Sequence, residues 1–289
     1  MREFVIAGVD FLISKGEPYF LEVNASPGAH AMNLLEAAGY SPVGRLAKAV
    51  LRRVRSPKAA VLFSIRDRSD IPRLERLREF FPAELCDVSR QDYHSKKLVS
   101  ESGLRFEPSV ILFNRLRFSQ LYRFDVPRIN PEHIVRISLD KHLSTLIVRD
   151  GTDVETPRSF LSLSSRMAQE IFRSVEFPGG VVVKGNFGQA GGGVMVGDRP
   201  PAPVKGVKLI QERIRVDPFR GSRFWDVRAL VVDGKFSGAT VRYADSPVVN
   251  IHQGGRMVVA PDNLMELVAR PAEKVVRAIE RVKLRRRVL

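Results

Sequence analysis

Three side chains near the start of the chain, Asp10, Glu22 and Asn24, are of the kinds that hold a hard cation, and they lie within GVDFLISKGEPYFLEVNASPG (8–28). In YFLEVN (19–24), strand alternation puts Phe20, Glu22 and Asn24 on one face and Tyr19, Leu21 and Val23 on the other. The preceding apolar run VIAGVDFLI joins it through SKGEP, where Gly16 and Pro18 favour a turn, so a hairpin brings Asp10 beside Glu22. Two carboxylates and an amide suit Mg²⁺, an ion that retains water and shares phosphate oxygens, with Mn²⁺ as the alternative. The same residues also fit an ordinary hairpin carrying two acids and a turn asparagine, since short motif matches are only hypotheses.

A second chemical signal is GGVVVKGNFGQAGGGVMVGD (179–198), in which Gly185, Gly188, Gly191, Gly192 and Gly193 separate two β-branched runs. Dinucleotide-binding loops run from strand to helix, whereas this one runs from strand to strand. It reads as a flap whose backbone N–H groups close over phosphates, with Lys184 supplying a point charge at the strand end. A hairpin that is merely mobile is the plainer alternative.

The scaffold that must carry these groups reads as mixed α/β (α+β). Helical spacing from Met32 to Arg55, interrupted by GYSP (39–42), predicts two helices ending near Ser56-Pro57. AAVLFSI (59–65), the charged stretch Asp70 to Phe80, AELCDV (83–88) and SVILFN (109–114) predict strand, helix, strand, strand. A helical stretch containing Asp140-Lys141 follows PRINPE, and another runs from about Ser164 to Ser174. Strands dominate from Gly180 to Val259, and a helix spans about Asp262 to Arg281.

With 289 residues, 44% hydrophobic, the chain can bury a large core in two or three lobes. It has no apolar run long enough to cross a bilayer and no signal-peptide pattern, so cytoplasm is the expected location and no membrane partner is expected. The single cysteine, Cys86, rules out an intrachain disulfide or a multi-cysteine zinc site. The five histidines show no metal-ligand spacing. A net charge of +15, concentrated at LRRVR (51–55), RDRSDIPRLERLR (66–78) and RVKLRRR (281–287), favours an anionic partner such as nucleic acid, although no zinc-finger or RNA-recognition signature supports one. Solvated helix faces account for such clusters equally well.

Taken with Lys141, Lys184 and GVDFL…FLEVNASPG, the segments VKLIQERIRV (207–216), WDVRALVVDGKFSGATVRYA (225–244) and NIHQGG (250–255) make the chain resemble the ATP-grasp superfamily, and within it the RimK-type peptide and carboxylate–amine ligases. INPEHIVRISLDKHLSTLIVRDG (129–151) is similar to that family's entry into its ATP-binding lobe. In the family GVDFL…EVNASPG comes last, whereas here it comes first. The resemblance therefore implies an ATP-grasp fold with a small pre-ATP-grasp α/β lobe, circularly permuted. Tandem head-to-tail copies, or a partner copy lending residues 1–30, are the rival arrangements. The implied division is 1–57 (the family's C-terminal portion), 58–130 (pre-ATP-grasp lobe), 131–206 (small lobe with flap) and 207–289 (large lobe).

Position by position, the resemblance implies that Lys141 and Lys184 contact ATP phosphates under the flap glycines, including Gly191 and Gly192. Gln211, Glu212 and Arg213 match the adenine hinge, Asp226 a nucleotide-contacting acid near the ribose, and Asn250 a position beside the phosphates. Asp10, Glu22 and Asn24 match the metal ligands, and Arg228 and Arg242 match catalytic basic positions facing the reacting groups. Val248 stands where the family can carry Arg, a departure that bears on acceptor or phosphate recognition. The implied function is an ADP-forming carbon–nitrogen ligase that joins a carboxylate acceptor, small molecule or protein, to an amine such as an amino acid through an acylphosphate. The alternative is a basic nucleic-acid-binding or interaction protein on an inactive ATP-grasp scaffold, against which the intact Asp10, Glu22 and Asn24 set argues.

Overall fold

The computed structural model describes residues 6–25, 29–63, 71–91, 97–112, 126–187, 193–198, 206–246, 249 and 254–282. β1 (Ile6–Ser14) and β2 (Glu17–Asn24) form a hairpin whose turn places Lys15 and Gly16 at positive φ. α1 (Ala29–Ala37) and α2 (Pro42–Leu51) follow, broken as expected at GYSP. β3 (Ala59–Phe63), α3 (Ile71–Arg78), β4 (Ala83–Asp87), the short β5 (Leu98–Val99) and β6 (Arg105–Phe106), and β7 (Val110–Leu112) build a small α/β lobe. The helical stretch around Asp140 is two helices, α4 (Glu132–Leu139) and α5 (Lys141–Gly151). Asp140 has non-helical φ and ψ, and its carboxylate accepts from the Leu143 N–H at 2.9 Å, capping the second helix. Then come β8 (Ser159–Ser162), α6 (Ser165–Ser174), β9 (Val181–Gly185), β10 (Met195–Gly197), β11 (Lys208–Glu212), β12 (Phe224–Val232), β13 (Lys235–Ala244), β14 (Arg256–Val259) and α7 (Asp262–Arg281).

The largest sheet has the order β14-β13-β12-β1-β2, so the hairpin from the beginning of the chain sits beside strands more than two hundred residues away. One face of that sheet, including Val9, Phe11, Val227, Val231 and Val241, buries against α7 through Val268, Val275 and Ile279. On the other face, Ile6, Leu230 and Val232 pack with α1, α2 and the small lobe. The flap sheet has the order β10-β9-β11-β8, and the small lobe is the parallel sheet β4-β3-β7. Because β11 pairs with β8 and β9, we place the lobe division after Glu212 instead of at 206.

Phe20 departs from simple alternation. The β1–β2 register jumps from Asp10↔Glu22 to Phe11↔Phe20, so Leu21 is the extra residue of a β-bulge. The bulge turns Phe20 into the same core as Val23 and leaves Glu22 and Asn24 on the opposite face. Without it, Phe20 would share the face of the acids, as expected from the sequence.

Polar contacts lock residues 6–57 onto the large sheet. Arg52 and Arg53 both pair with Asp233 in the β12–β13 turn, and Arg45 donates to the Phe236 carbonyl at 2.7 Å. Asn130, buried and at positive φ, accepts from Ile6 N–H and donates to the Ile6 and Ala25 carbonyls. Gly238 has φ +117°, and a Cβ there would lie 2.9 Å from Leu35 Cδ2 on α1. Gly238→Ala therefore combines backbone strain with overpacking, and we expect a loss of about 1–3 kcal/mol, read as a lower urea midpoint at unchanged slope.

Candidate active site

Register places the chemical groups in a line across the large sheet. Glu22 on β2 is opposite Asp10 on β1, Asp10 is opposite Arg228 on β12, and Arg228 is opposite Thr240 on β13. Asp226 and Arg242 form the adjoining pair on the same two strands. Since side chains alternate along each strand, these groups share the face opposite α7.

Asp10 is 0% exposed and held by two guanidinium groups. Arg228 donates from Nε to Oδ1 and from a terminal nitrogen to Oδ2, both at 2.7 Å, and Arg242 donates to Oδ2 at 2.8 Å. Burial opposes the charge of Asp10, but Arg228 and Arg242 outweigh it and hold the carboxyl well below the usual carboxylate range. Arg242 also grips both oxygens of Asp226 at 2.7 and 2.6 Å. Burial raises the Asp226 pKa to about 6, with Arg242 opposing that rise and the neighbouring Asp10 charge adding to it. Asp226, expected beside the ribose, thus spends its carboxylate on fixing Arg242.

The Asn24 amide nitrogen is 3.3 Å from both Asp10 Oδ2 and Glu22 Oε1, so the three candidate ligands converge. A half-turn of that amide presents its oxygen in the same place, because amide orientation is set by the hydrogen-bond network. No group of three or more His, Cys, Asp or Glu suited to a metal occurs among the described residues. The donor set is instead two carboxylates and one amide, which fits a hard divalent cation that completes its shell with phosphate and water.

The two lysines reach this line from other elements. Lys141, the first residue of α5, has Nζ 3.8 Å from Glu22 Oε2. Lys184 on β9 is 6% exposed; burial lowers its pKa to about 8, opposed by the nearby Glu22 and reinforced by Lys141. Asn186, which the sequence did not single out, ties the two together. Its Oδ1 accepts from His142 N–H at 2.8 Å, its carbonyl accepts from Lys141 N–H at 3.2 Å, and its amide donates to Asp140 at 2.9 Å. The base of the flap is therefore fixed to the start of α5. The only cue in the sequence was its position two residues after Lys184.

On the cleft face of the flap sheet, Leu209 lies opposite Lys184 and Gln211 opposite Val182. Gln211 is buried and donates to Ser159 Oγ at 2.8 Å. The N–H groups of Glu212 and Arg213 are taken by the Arg158 and Gly180 carbonyls, so these two residues can offer a base their carbonyls and side chains only. Their side chains pair with Arg158 and Asp198. Gly191, Gly192 and Asn250 lie outside the described residues.

Much of the basic surface is engaged internally. Arg52 and Arg53 hold Asp233, Arg73 is buried, Arg76 pairs with Glu79, and Arg78 pairs with Glu84. No described helix is long and apolar enough to cross a membrane.

Comparison with known proteins identifies the fold and the family. The structure superposes on a provisionally assigned γ-glutamylcysteine synthetase from Methylobacillus flagellatus KT with TM-score 0.65 and 13% identity, over 96% of this chain and 89% of that one. It superposes on D-alanyl-alanine synthetase A from Vibrio cholerae with TM-score 0.53 and 14% identity, over 78% and 82% of the two chains. A D-cycloserine synthetase gives TM-score 0.54 and 18% identity over 76% and 80%. At these identities the likeness establishes the fold. No curated protein matches the sequence. Residues 138–285, a little more than half of the chain, match the model of the RimK-like ATP-grasp domain, and the chain belongs to the RimK-like ATP-grasp family.

Proposed function

We propose that the protein joins a carboxylate to an amine through an acylphosphate, consuming ATP and releasing ADP and phosphate. As a RimK-like ATP-grasp protein it is an ATP-dependent carbon–nitrogen ligase. One observation carries the detailed reading: Lys141 from a helix and Lys184 from the flap sheet converge on the Asp10–Glu22 line of the large sheet. Lysines that gather at acids have a ready use when a polyphosphate and its cation lie between them.

In this reading Asp10, Glu22 and Asn24 hold the divalent cation, Mg²⁺ by preference for their oxygen donors. When bound, the cation neutralises charge on the phosphate oxygens. Lys141 and Lys184 hold those phosphates, and the flap excludes water from the γ-phosphate. The acceptor carboxylate attacks the γ-phosphorus, breaking its bond to the bridging oxygen of ADP. The amine then attacks the acyl carbon, loses a proton and expels phosphate. No protein nucleophile is needed. Arg242, clamped by Asp226, faces the reacting groups with a fixed orientation and stabilises the tetrahedral oxyanion, with Arg228 beside it.

The amine donor is an amino acid in this proposal. Release of ADP in a screen of amino acids and small carboxylates tests both activity and substrate. We also infer that the motif order is circularly permuted. The supporting observation is that residues 6–24 complete the sheet of residues 224–259 within a single chain.

Glu22 is partly exposed, so Glu22→Ala should leave the melting temperature nearly unchanged while lowering turnover at least about a hundredfold. Near-normal ADP release by that variant would remove the cation assignment.

The Lys184 pKa yields a second expectation with a definite sign. Its folded value, about 8, lies below the usual 10.5, so the free protein has lost much of that proton at about pH 8.5. Bound phosphates restore the charge. Nucleotide binding should therefore take up a proton near that pH, and affinity should weaken as pH rises further. Calorimetry in two buffers of different ionisation enthalpy measures the uptake, and Lys184→Met should abolish it. Proton release on binding would contradict the phosphate role.

A further inference from the structure

The geometry points to Arg228 as a gate on the cation site: it withholds Asp10 from divalent cations in the nucleotide-free protein, and cation binding moves its guanidinium to the Thr240 hydroxyl. The gate rests on the reading of Asp10 as a cation ligand and adds a condition for loading that site.

Asp10 is saturated. Oδ2 accepts from Arg228 at 2.7 Å, Arg242 at 2.8 Å and the Asn24 amide at 3.3 Å, while Oδ1 accepts from Arg228 Nε at 2.7 Å. A cation approaching this carboxylate meets N–H groups in place of lone pairs. Among the described residues of this line, Asp10, Glu22 and Asp226 are acids and Arg228, Arg242, Lys141 and Lys184 are bases, so the surroundings carry excess positive charge. A lone divalent ion is repelled from such a place. Nucleotide phosphates reverse the sign, and they can do so only where the lysines already point.

Thr240 supplies the other half of the device. Its side chain is 0% exposed and its hydroxyl has no hydrogen-bond partner among the described residues, an arrangement that is costly inside a protein. It stands directly across the β12–β13 ladder from Arg228, whose other neighbour, one strand away on β1, is Asp10. Arg228 thus lies between a crowded acceptor and an unused one. Arg242 is anchored by both oxygens of Asp226, whereas the hydrogen bonds of Arg228 among the described residues all go to Asp10. Arg228 is the guanidinium free to shift. Seated against Thr240, it would free one acceptor site on each Asp10 oxygen and satisfy the orphaned hydroxyl in the same movement. It is a positioning residue in this role, acting through Asp10.

The test measures Mn²⁺ binding to the full chain by electron paramagnetic resonance of the free ion, with and without a non-hydrolysable ATP analogue. Wild type should bind Mn²⁺ weakly without nucleotide, and Arg228→Gln should bind it at least about tenfold more tightly, the worth of one charge-assisted hydrogen bond on Asp10. Thr240→Val keeps the shape and removes the second seat. It should leave nucleotide-free binding unchanged, weaken Mn²⁺ binding in the analogue complex about threefold to tenfold, and raise the melting temperature by removing an unsatisfied hydroxyl. Equal nucleotide-free affinity in folded Arg228→Gln and wild type would overturn the gate. If Arg228→Gln does not fold, Thr240→Val decides alone, and unchanged affinity in its analogue complex overturns the gate. Asp10→Asn separates the two levels: if it leaves Mn²⁺ affinity in the analogue complex intact, the cation-ligand reading falls with the gate. If it abolishes that affinity while Arg228→Gln gains nothing, only the gate falls.

Discussion

A carboxylate with no solvent contact, Asp10, sits on β1 between β2 and β12 of the large sheet, and its ionised form survives there because Arg228 and Arg242 share it. Desolvating an isolated ion costs several kcal/mol, a substantial part of the stability of an ordinary domain. Two acids, Asp10 and Asp226, and two arginines neutralise one another, and that balance fixes where each side chain points. Removing any member leaves a buried charge without its partner, which typically costs about 3–5 kcal/mol. The same balance is chemically useful. A guanidinium held through both oxygens of a buried acid, as Arg242 is by Asp226, needs no reorganisation when negative charge develops beside it.

Backbone register carries this arrangement. Five strands contribute one residue each to a single transverse line, Glu22, Asp10, Arg228, Thr240 and Val259, and a slip of one residue in any strand would send its member to the α7 face. The bulge at Leu21 belongs to the same logic. It lets β2 bury Phe20 and Val23 on one side while Glu22 and Asn24 stay on the other. The lysines are brought in by other means: Lys184 by the pairing of β9 with β11, and Lys141 by the Asp140 cap and the Asn186 bridge. The helix that carries Lys141 also packs through Val148 into the core beneath the large sheet, so this lysine is anchored by apolar contact as well as by its cap.

What could be read from the sequence follows from the range of each interaction. Asp10, Glu22 and Asn24 were legible because two apolar strands and a glycine turn are local features, and Lys184 because its glycine-rich neighbourhood is unusual. The helices 29–51, 165–174 and 262–281 were legible from apolar spacing. The bulge at Leu21 was not, since nothing in YFLEVN marks the extra residue. Nor was the Asp226–Arg242 clamp, which cross-strand pairing decides. Thr240 carries no local signal at all, and Asn186 only its place two residues after Lys184. Their meaning comes from being buried beside residues tens of positions away, or, for Thr240, from lacking a partner there. The strands β5 and β6 were too short for alternation to show.

The position of β1 bears on the permuted motif order that we infer. The neighbours that give Asp10 its environment are β2, joined to it by a tight turn, and β12, reached only through pairing across the sheet. Neither contact depends on which segment the chain forms first. Changing the order exchanges one connection for another, and loop-closure entropy varies only slowly with the length of the connection. The interactions between residues 6–57 and the distant hairpin, namely Arg45 to Phe236, Arg52 and Arg53 to Asp233, and Gly238 beneath Leu35, hold the segment in place. A site assembled by sheet register and buried charge balance is indifferent to where the backbone is cut, provided that the cut falls outside the paired strands.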